Sequence, residues 1–266
     1  MLIDASIHHA VEELMVRAAD TAIMPRLGTL LASEMHHKTV DELVTIADRE
    51  SEAILADGLH KLIPEARIVG EEAADAEPSV LAELGNKLCW IIDPLDGTAN
   101  FAAGNGPFGL LVALASEGIP IGGWIFDPQS RRFCAAAAGS GASINGEPVK
   151  TRPSSKSRPL AAVSTLLASI PESLALADRI GADFDTISIP RCAAEQYPRM
   201  VLGGSDVTLF GRTLPWDHAA GILFLIEAGG VATRFDGAAY QVTDDRFGLI
   251  AAVNEELWQR AMEAAH

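Results

Sequence analysis

Cysteine is scarce in this chain, and positive charge is heavily outweighed. The only thiols are Cys89, Cys134 and Cys192. None belongs to a C-x-x-C pair, and Cys89 sits in an apolar run where a buried thiol is the expected role. Lysine and arginine number 20 against 36 aspartates and glutamates, a net charge of −16. That balance excludes electrostatic binding to nucleic acid or to an anionic membrane surface. It leaves a phosphorylated small molecule open as partner, because a bound metal inverts the local field. No apolar run is long enough to span a bilayer and no secretory signal pattern appears, so a cytoplasmic location is expected. The pairs His8-His9 and His36-His37 suggest zinc at first sight. Helix neighbours do not face each other, and no further Cys or His completes a ligand set, so they are expected to be solvated.

What the chain does have is apolar content. It is 48% hydrophobic and 21% charged over 266 residues, enough for a substantial core in one large domain or two small ones. The stretch that organises it is Trp90-Ile-Ile-Asp-Pro-Leu-Asp-Gly-Thr-Ala-Asn-Phe101. The run from Leu88 to Ile92 reads as a buried strand ended by Asp93 and Pro94. Asp93 and Asp96 then lie three residues apart in a turn that can bring them to one point. Crowded carboxylates repel unless one is protonated or a cation sits between them. An all-oxygen ligand set suits Mg²⁺. Gly97 and Thr98 can open a helix whose free N–H groups form an anion site at the same spot. A metal site beside an anion cradle points to phosphate chemistry, although an isolated D-P-x-D-G is also an ordinary turn.

In chain order, apolar spacing predicts a helix over 3–24, stopped by Pro25 and Gly28. A second helix runs to about Leu62, with Asp48 near its start as a capping or first-turn charge. A strand at Arg67-Ile-Val69 enters Gly70-Glu71-Glu72, which puts carboxylates at a strand end or simply in a solvated loop. Residues 73–86 read as a surface connection. Strands over 108–115 and 119–126 flank the turn Glu117-Gly118, and 132–138 adds another. Gly104 to Gly109 matches G-x-G-x-x-G, but it precedes a strand and contains Pro107, so a dinucleotide site is rejected. The polar, basic segment 150–159 marks the expected boundary between an N-terminal α+β domain, 1–150, and a C-terminal α/β domain, 151–266. Beyond it the pattern predicts strands near 161–166, 186–189, 205–210 and 248–253. Helices are expected over 171–181, from Asp217, and after Asn254, with a hairpin near Asp236-Gly237. The helix from Asp217 is apolar on nearly every side and therefore buried. Asp217 itself reads equally well as an N-cap, and His218 as a base or as a buried polar residue.

Taken together, Lys38 with Asp41-x-Leu-Val-Thr-x-x-Asp48, Gly70-Glu-Glu72, Trp90-Ile-Ile-Asp-Pro-Leu-Asp-Gly-Thr98 and Trp216-Asp-x-Ala-Ala-Gly221 resemble the inositol monophosphatase family. These are metal-dependent, lithium-sensitive phosphatases related in fold to fructose-1,6-bisphosphatase, and the resemblance spans essentially the whole chain. It implies a layered αβαβα sandwich, usually a homodimer, that hydrolyses a small phosphorylated metabolite with two or three Mg²⁺ ions. On that basis Glu71, Asp93 and the Leu95 carbonyl hold one metal, and Asp93, Asp96 and Asp217 a second. Glu71 also contacts a third, weaker ion. Asp48 and Thr98 orient the attacking water, and the N–H groups of Gly97 and Thr98 bind phosphate.

The chain departs from the family pattern at two places. Ala99 replaces a frequent Thr, and Phe210 occupies the position of a Glu that hydrogen-bonds the inositol ring. Phe210 and Arg212 either meet a ring and a second phosphate of the substrate, or are a core residue and a surface charge. Relatives act on histidinol phosphate, 3′-phosphoadenosine 5′-phosphate, sugar bisphosphates and NADP. The reading from a different class is a metal-dependent regulatory interaction protein.

Overall fold

The computed structural model describes residues 3–30, 34–37, 43–164 and 170–265. Lys38 and Asp41 lie outside the described residues, as do positions 165 and 166 of the strand expected at 161–166. The N-terminal part comprises α1 (Ala5–Ala18), the short strands β1 (Met35–His37) and β2 (Leu43–Thr45), and α2 (Ile46–Leu62). Next come β3 (Arg67–Gly70), α3 (Glu71–Ala76), β4 (Cys89–Asp96), α4 (Thr98–Ala102), β5 (Gly109–Ser116), β6 (Ile119–Asp127), β7 (Arg132–Ala137), β8 (Gly141–Ile144) and β9 (Glu147–Val149). The second half holds β10 (Leu160–Val163), α5 (Ile170–Asp183), β11 (Asp185–Ile187), α6 (Ala193–Val201), β12 (Val207–Phe210), α7 (Pro215–Glu227), β13 (Val231–Thr233), β14 (Leu249–Ala252) and α8 (Glu255–Ala265).

β3 to β9 form a seven-stranded sheet in sequence order, and a five-stranded sheet has the order β11-β10-β12-β14-β13. Strand alternation in β4 and β5 shows how the layers stack. Trp90, Ile92, Leu110, Val112 and Leu114 point into one buried cluster with Val11, Met15, Leu55 and Leu59 of α1 and α2. Ile91, Leu111 and Ala113 point into the other, with Tyr197 and Met200 of α6 and Ala220, Phe224 and Leu225 of α7. That second cluster continues through Val207, Leu209 and Ile250 of the smaller sheet to Ile180 of α5 and Leu257 of α8. The order is helices, sheet, helices, sheet, helices: the αβαβα sandwich. Both faces of β4 and β5 are covered, and their sequences are accordingly apolar without polar alternation. The first sheet ends at Val149 and the second begins at Leu160. The expected boundary segment lies between them, and a single buried cluster spans the two halves.

Several elements differ from expectation for physical reasons. The first helix stays α-helical only to Ala18, capped at its start by the Asp4 side chain, then continues as a π turn over Ala19–Ile23. His8 is not simply solvated, because Trp124 Nε1 donates to its Nδ1 at 2.9 Å. The 73–86 connection contains the end of α3 and a 3₁₀ segment over Pro78–Gly85, with Leu84 buried beneath it. β4 does not stop at Asp93; it runs to Asp96 with a register shift between the two aspartates. α6 was not expected at all, since Pro198 lies inside it and proline reads as a helix breaker.

Candidate active site

Parallel pairing of β3 with β4 aligns Gly70 with Ile92. The next residue of each chain segment is acidic: Glu71 opens α3 just past β3, beside Asp93, which is still in β4 and paired with Leu111. Asp93 is fully buried. Burial lifts the proton affinity of its carboxyl far above the usual carboxylate range, and the charges of Glu71, Asp96 and Asp217 lift it further. The Leu95 N–H, 3.1 Å from Asp93 Oδ1, only partly offsets this. Asp217 enters on the first turn of α7, whose helix packs across β4, β5 and β6. Of the four carboxylates that sequence reasoning picked out for metal, Glu71, Asp96 and Asp217 are thus each within electrostatic reach of Asp93.

Asp96 is pushed up to about 6 by burial, against hydrogen bonds from the Ala194 N–H, the Cys192 thiol and the N–H groups of Ala193 and Gly97. The Ala194 N–H lies 2.6 Å from Asp96 Oδ2. The unexpected helix α6 therefore orients Asp96 with its free N-terminal donors. Gly97 adopts a left-handed φ of 81°, and a Cβ there would lie 2.8 Å from the Pro107 carbonyl, so only glycine fits the bend. The bend delivers Thr98 to the start of α4.

Asp48 reaches the motif from the N-terminal part of the chain. It is the third residue of α2, and it closes a capping box with Thr45. Asp48 Oδ2 accepts from Thr45 N at 2.8 Å and from Thr45 Oγ1 at 2.6 Å, leaving Oδ1 for Thr98 Oγ1 at 3.1 Å. Thr98 Oγ1 also lies 2.8 Å from the Leu95 carbonyl. A hydroxyl has one proton, so it serves one of these two acceptors at a time. Burial raises Asp48 to about 6 despite the donors around it. Asp48, with its proton affinity raised, thus holds the hydroxyl of Thr98, which also reaches the Leu95 carbonyl inside the acidic motif.

These residues fit a divalent cation by their chemistry. They are all oxygen donors, and Asp93 is a buried carboxyl with like charges about it, an arrangement relieved only by a proton or a cation. Among the described residues, no three His, Cys, Asp or Glu side chains form a ready-made cage. The acids meet at electrostatic range rather than in closed coordination.

Phe210 and Arg212 are separated from each other by their surroundings. Phe210 is 6% exposed, stacks on Tyr197 with centroids 5.3 Å apart, and meets the His218 ring edge-on at 4.7 Å. Of the two readings of Phe210, that setting supports the core residue. Arg212 is exposed on the segment leading into α7. His218 is no base: Tyr197 Oη is 2.8 Å from its Nδ1 and the Arg212 carbonyl 3.2 Å from its Nε2. Burial drives its pKa down to about 3, so the ring is neutral, donating from Nε2 and accepting at Nδ1.

Sequence reasoning missed three contributors to the site. Glu52 accepts from the backbone N–H groups of Glu72 and Ala73, Ser51 donates to the Pro94 carbonyl, and Ala194 holds Asp96. The first two were findable, since they follow Asp48 by one helical turn; the third depended on a helix that proline concealed.

The model of the inositol monophosphatase family matches residues 6–266. The chain is 31% identical over 245 residues to inositol monophosphatase 2 of Solanum lycopersicum, covering 87% of this chain and 88% of that protein. It is 33% identical over 225 residues to a histidinol-phosphatase of Chlorobaculum parvum, covering 83% of each. Its fold superposes with a TM-score of 0.84 on the extragenic suppressor protein suhB of Bartonella henselae, at 25% identity and 98% coverage of both chains. With the sandwich, the acidic cluster and the Asp48–Thr98 pair in place, this chain belongs to the inositol monophosphatase family and is a phosphoric monoester hydrolase.

Proposed function

We propose that Glu71, Asp93, the Leu95 carbonyl, Asp96 and Asp217 hold two or three Mg²⁺ ions, and that the substrate is a small phosphomonoester bound against them. The observation that carries this reading is the buried Asp93 ringed by three other carboxylates. When bound, the cations supply positive charge at the phosphate oxygens and acidify water. The chain's own groups do the rest. With the Leu95 carbonyl engaged elsewhere, the Thr98 proton turns to Asp48, and the freed lone pair of Thr98 Oγ1 orients the attacking water. Asp48 is the final proton acceptor. The N–H of Thr98, together with that of Gly97 once it turns from Asp96, holds the phosphate in line, so positioning and charge rather than covalent catalysis lower the barrier.

The leaving group is selected by the wall that α7 and its entry segment provide. Phe210 offers no polar atom to an inositol ring, whereas Arg212 stands exposed nearby in sequence. The relatives at comparable identity include both an inositol monophosphatase and a histidinol-phosphatase. We therefore place the preferred substrate among phosphomonoesters carrying a ring or a second anionic group. The family resemblance also supports a homodimer acting in the cytoplasm; no described helix is long and apolar enough to cross a membrane. A screen of inositol 1-phosphate, histidinol phosphate, 3′-phosphoadenosine 5′-phosphate and sugar bisphosphates, reading phosphate release with and without Mg²⁺, tests the proposal. Metal-independent release, or none from any phosphomonoester, defeats it.

A further inference from the structure

One face of α2 grips the three segments that converge on the acidic cluster. Residues at i, i+3 and i+4 share a helix face, and here they are Asp48, Ser51 and Glu52. Asp48 takes the Thr98 hydroxyl at the start of α4. Ser51, wholly buried, donates from Oγ to the Pro94 carbonyl at 2.9 Å, inside the turn between Asp93 and Leu95. Glu52 reaches the start of α3. Its Oε2 accepts from Glu72 N at 2.8 Å and its Oε1 from Ala73 N at 2.9 Å.

Glu71 is the first residue of α3, and the two N–H groups that follow it are the ones Glu52 holds. A six-residue helix cannot fix its own first turn, and Gly70 before it has no side chain to cap with. A carboxylate across those donors is favourable both as a hydrogen-bond partner and toward the helix dipole. Gly70 is required by the same contact, because a methyl group on its Cα would overlap the Glu52 carboxyl.

We propose that Ser51 and Glu52 are positioning residues that set the separation between Glu71 and the Asp93–Leu95 turn, and thereby the affinity of the site for divalent cations, without touching the cation. Because both belong to one helix, the two segments they hold cannot drift apart independently. Groups that orient metal ligands in this way typically contribute roughly 10–100-fold in affinity. The inference rests on the metal assignment proposed above.

The test is calorimetric titration of Mg²⁺, and of Mn²⁺ as a tighter probe, into the purified full-length chain without substrate. Ser51→Ala and Glu52→Gln should each weaken binding by roughly tenfold or more, with far-UV CD unchanged and most of kcat recovered at saturating metal. Gly70→Ala, which displaces the Glu52 carboxyl by another route, should reproduce the loss. In a Glu71→Gln background, Glu52→Gln should change affinity less than about twofold, because the residue through which it acts is gone. Variants that lose thermal stability but bind metal like the wild type overturn the inference, as does a Glu52→Gln effect undiminished beside Glu71→Gln. If Glu52→Gln does not fold, Ser51→Ala and Glu52→Asp decide in the same way. A wild type that binds neither ion overturns the metal assignment and this inference together, whereas normal wild-type binding matched by all variants overturns the inference alone.

Discussion

Thr98 and Asp48 are 50 residues apart in sequence, yet the Thr98 hydroxyl lies 3.1 Å from Asp48 Oδ1 while the other carboxylate oxygen is already filled by Thr45. On the proposed mechanism the pair is a short proton path, closed at its far end. Replacing Thr98 by alanine breaks the path without disturbing the capping box. Thr98→Ala is expected to lower kcat by roughly 10²–10⁴-fold, the usual range for a general acid–base group, with little change in KM. Steady-state kinetics on the best substrate checks this. A variant that raises KM with kcat intact would show that Thr98 only holds phosphate.

Asp93 has the opposite relation to stability and function. Its carboxyl is buried among Glu71, Asp96 and Asp217, so without a cation it must hold a proton or an unpaired charge, either of which costs the fold at neutral pH. Asp93→Asn is expected to abolish phosphate release almost completely while keeping the far-UV CD spectrum. In chelator at neutral pH, its melting temperature should equal or exceed that of the wild type. Loss of secondary structure in this variant would make Asp93 a folding residue, and full wild-type activity in excess chelator would equally contradict the assignment.

His218 gives a pH signature distinct from that of the acids. Its folded pKa, about 3, lies below the ordinary 6.5. Between those values the unfolded chain binds a proton that the folded chain does not, so stability falls as pH drops from about 6.5 toward 3. Asp48 and Asp96, raised to about 6 from 3.8, act in the other direction in metal-free protein. The folded state binds their protons more tightly, and stability falls as pH rises through roughly 4 to 6. Comparing wild type with His218→Asn in chelator isolates the histidine contribution. The difference in unfolding free energy should shift in the variant's favour by up to a few kcal/mol as pH falls from about 7 to 4. Parallel pH profiles for the two proteins would show that the ring is not held neutral.

The strands and the acidic motif were legible because short-range chemistry decides them. An apolar run ending in D-P-L-D-G-T reads as a buried strand entering a turn, and β4 does so. The sequence could not reveal that β4 continues through Asp93 to Asp96, since the pairing comes from β5 and includes a register shift. Glu52 and Ser51 escaped notice because a helix face announces that residues are inward, not what they meet there. Ala194 was hidden for another reason. Its contribution is a backbone N–H at the start of a helix that carries Pro198, and tertiary packing of Tyr197 and Met200 in the core outweighs that proline. Phe210 looked ambiguous because a lone aromatic near a site suits either a ring contact or a core. Tyr197 and His218, which settle its surroundings, come from α6 and α7.

The proposed substrate preference turns on Arg212. The residue at 210 is apolar and packed away, so hydroxyls of an inositol ring lose an acceptor that the family's Glu would supply. A neutral hydrogen bond of that kind is worth about 0.5–1.5 kcal/mol, roughly a tenfold handicap. That slows inositol 1-phosphate without excluding it and lets another leaving group win. Arg212 sits on the segment that runs into α7, and its carbonyl is tied to His218 Nε2 at 3.2 Å, so its backbone is fixed while its side chain is exposed. A guanidinium so placed matches a second phosphate or a carboxylate through paired N–H donors. Arg212→Ala is therefore expected to reduce kcat/KM for the preferred, doubly anionic or ring-bearing substrate by at least tenfold, and for inositol 1-phosphate by less than about threefold, since charged hydrogen bonds exceed neutral ones. Arg212→Lys should restore only part of the loss, because an ammonium cannot reproduce the bidentate fork. A uniform effect on all substrates, or inositol 1-phosphate having the highest kcat/KM in the wild type, would show that selection lies elsewhere.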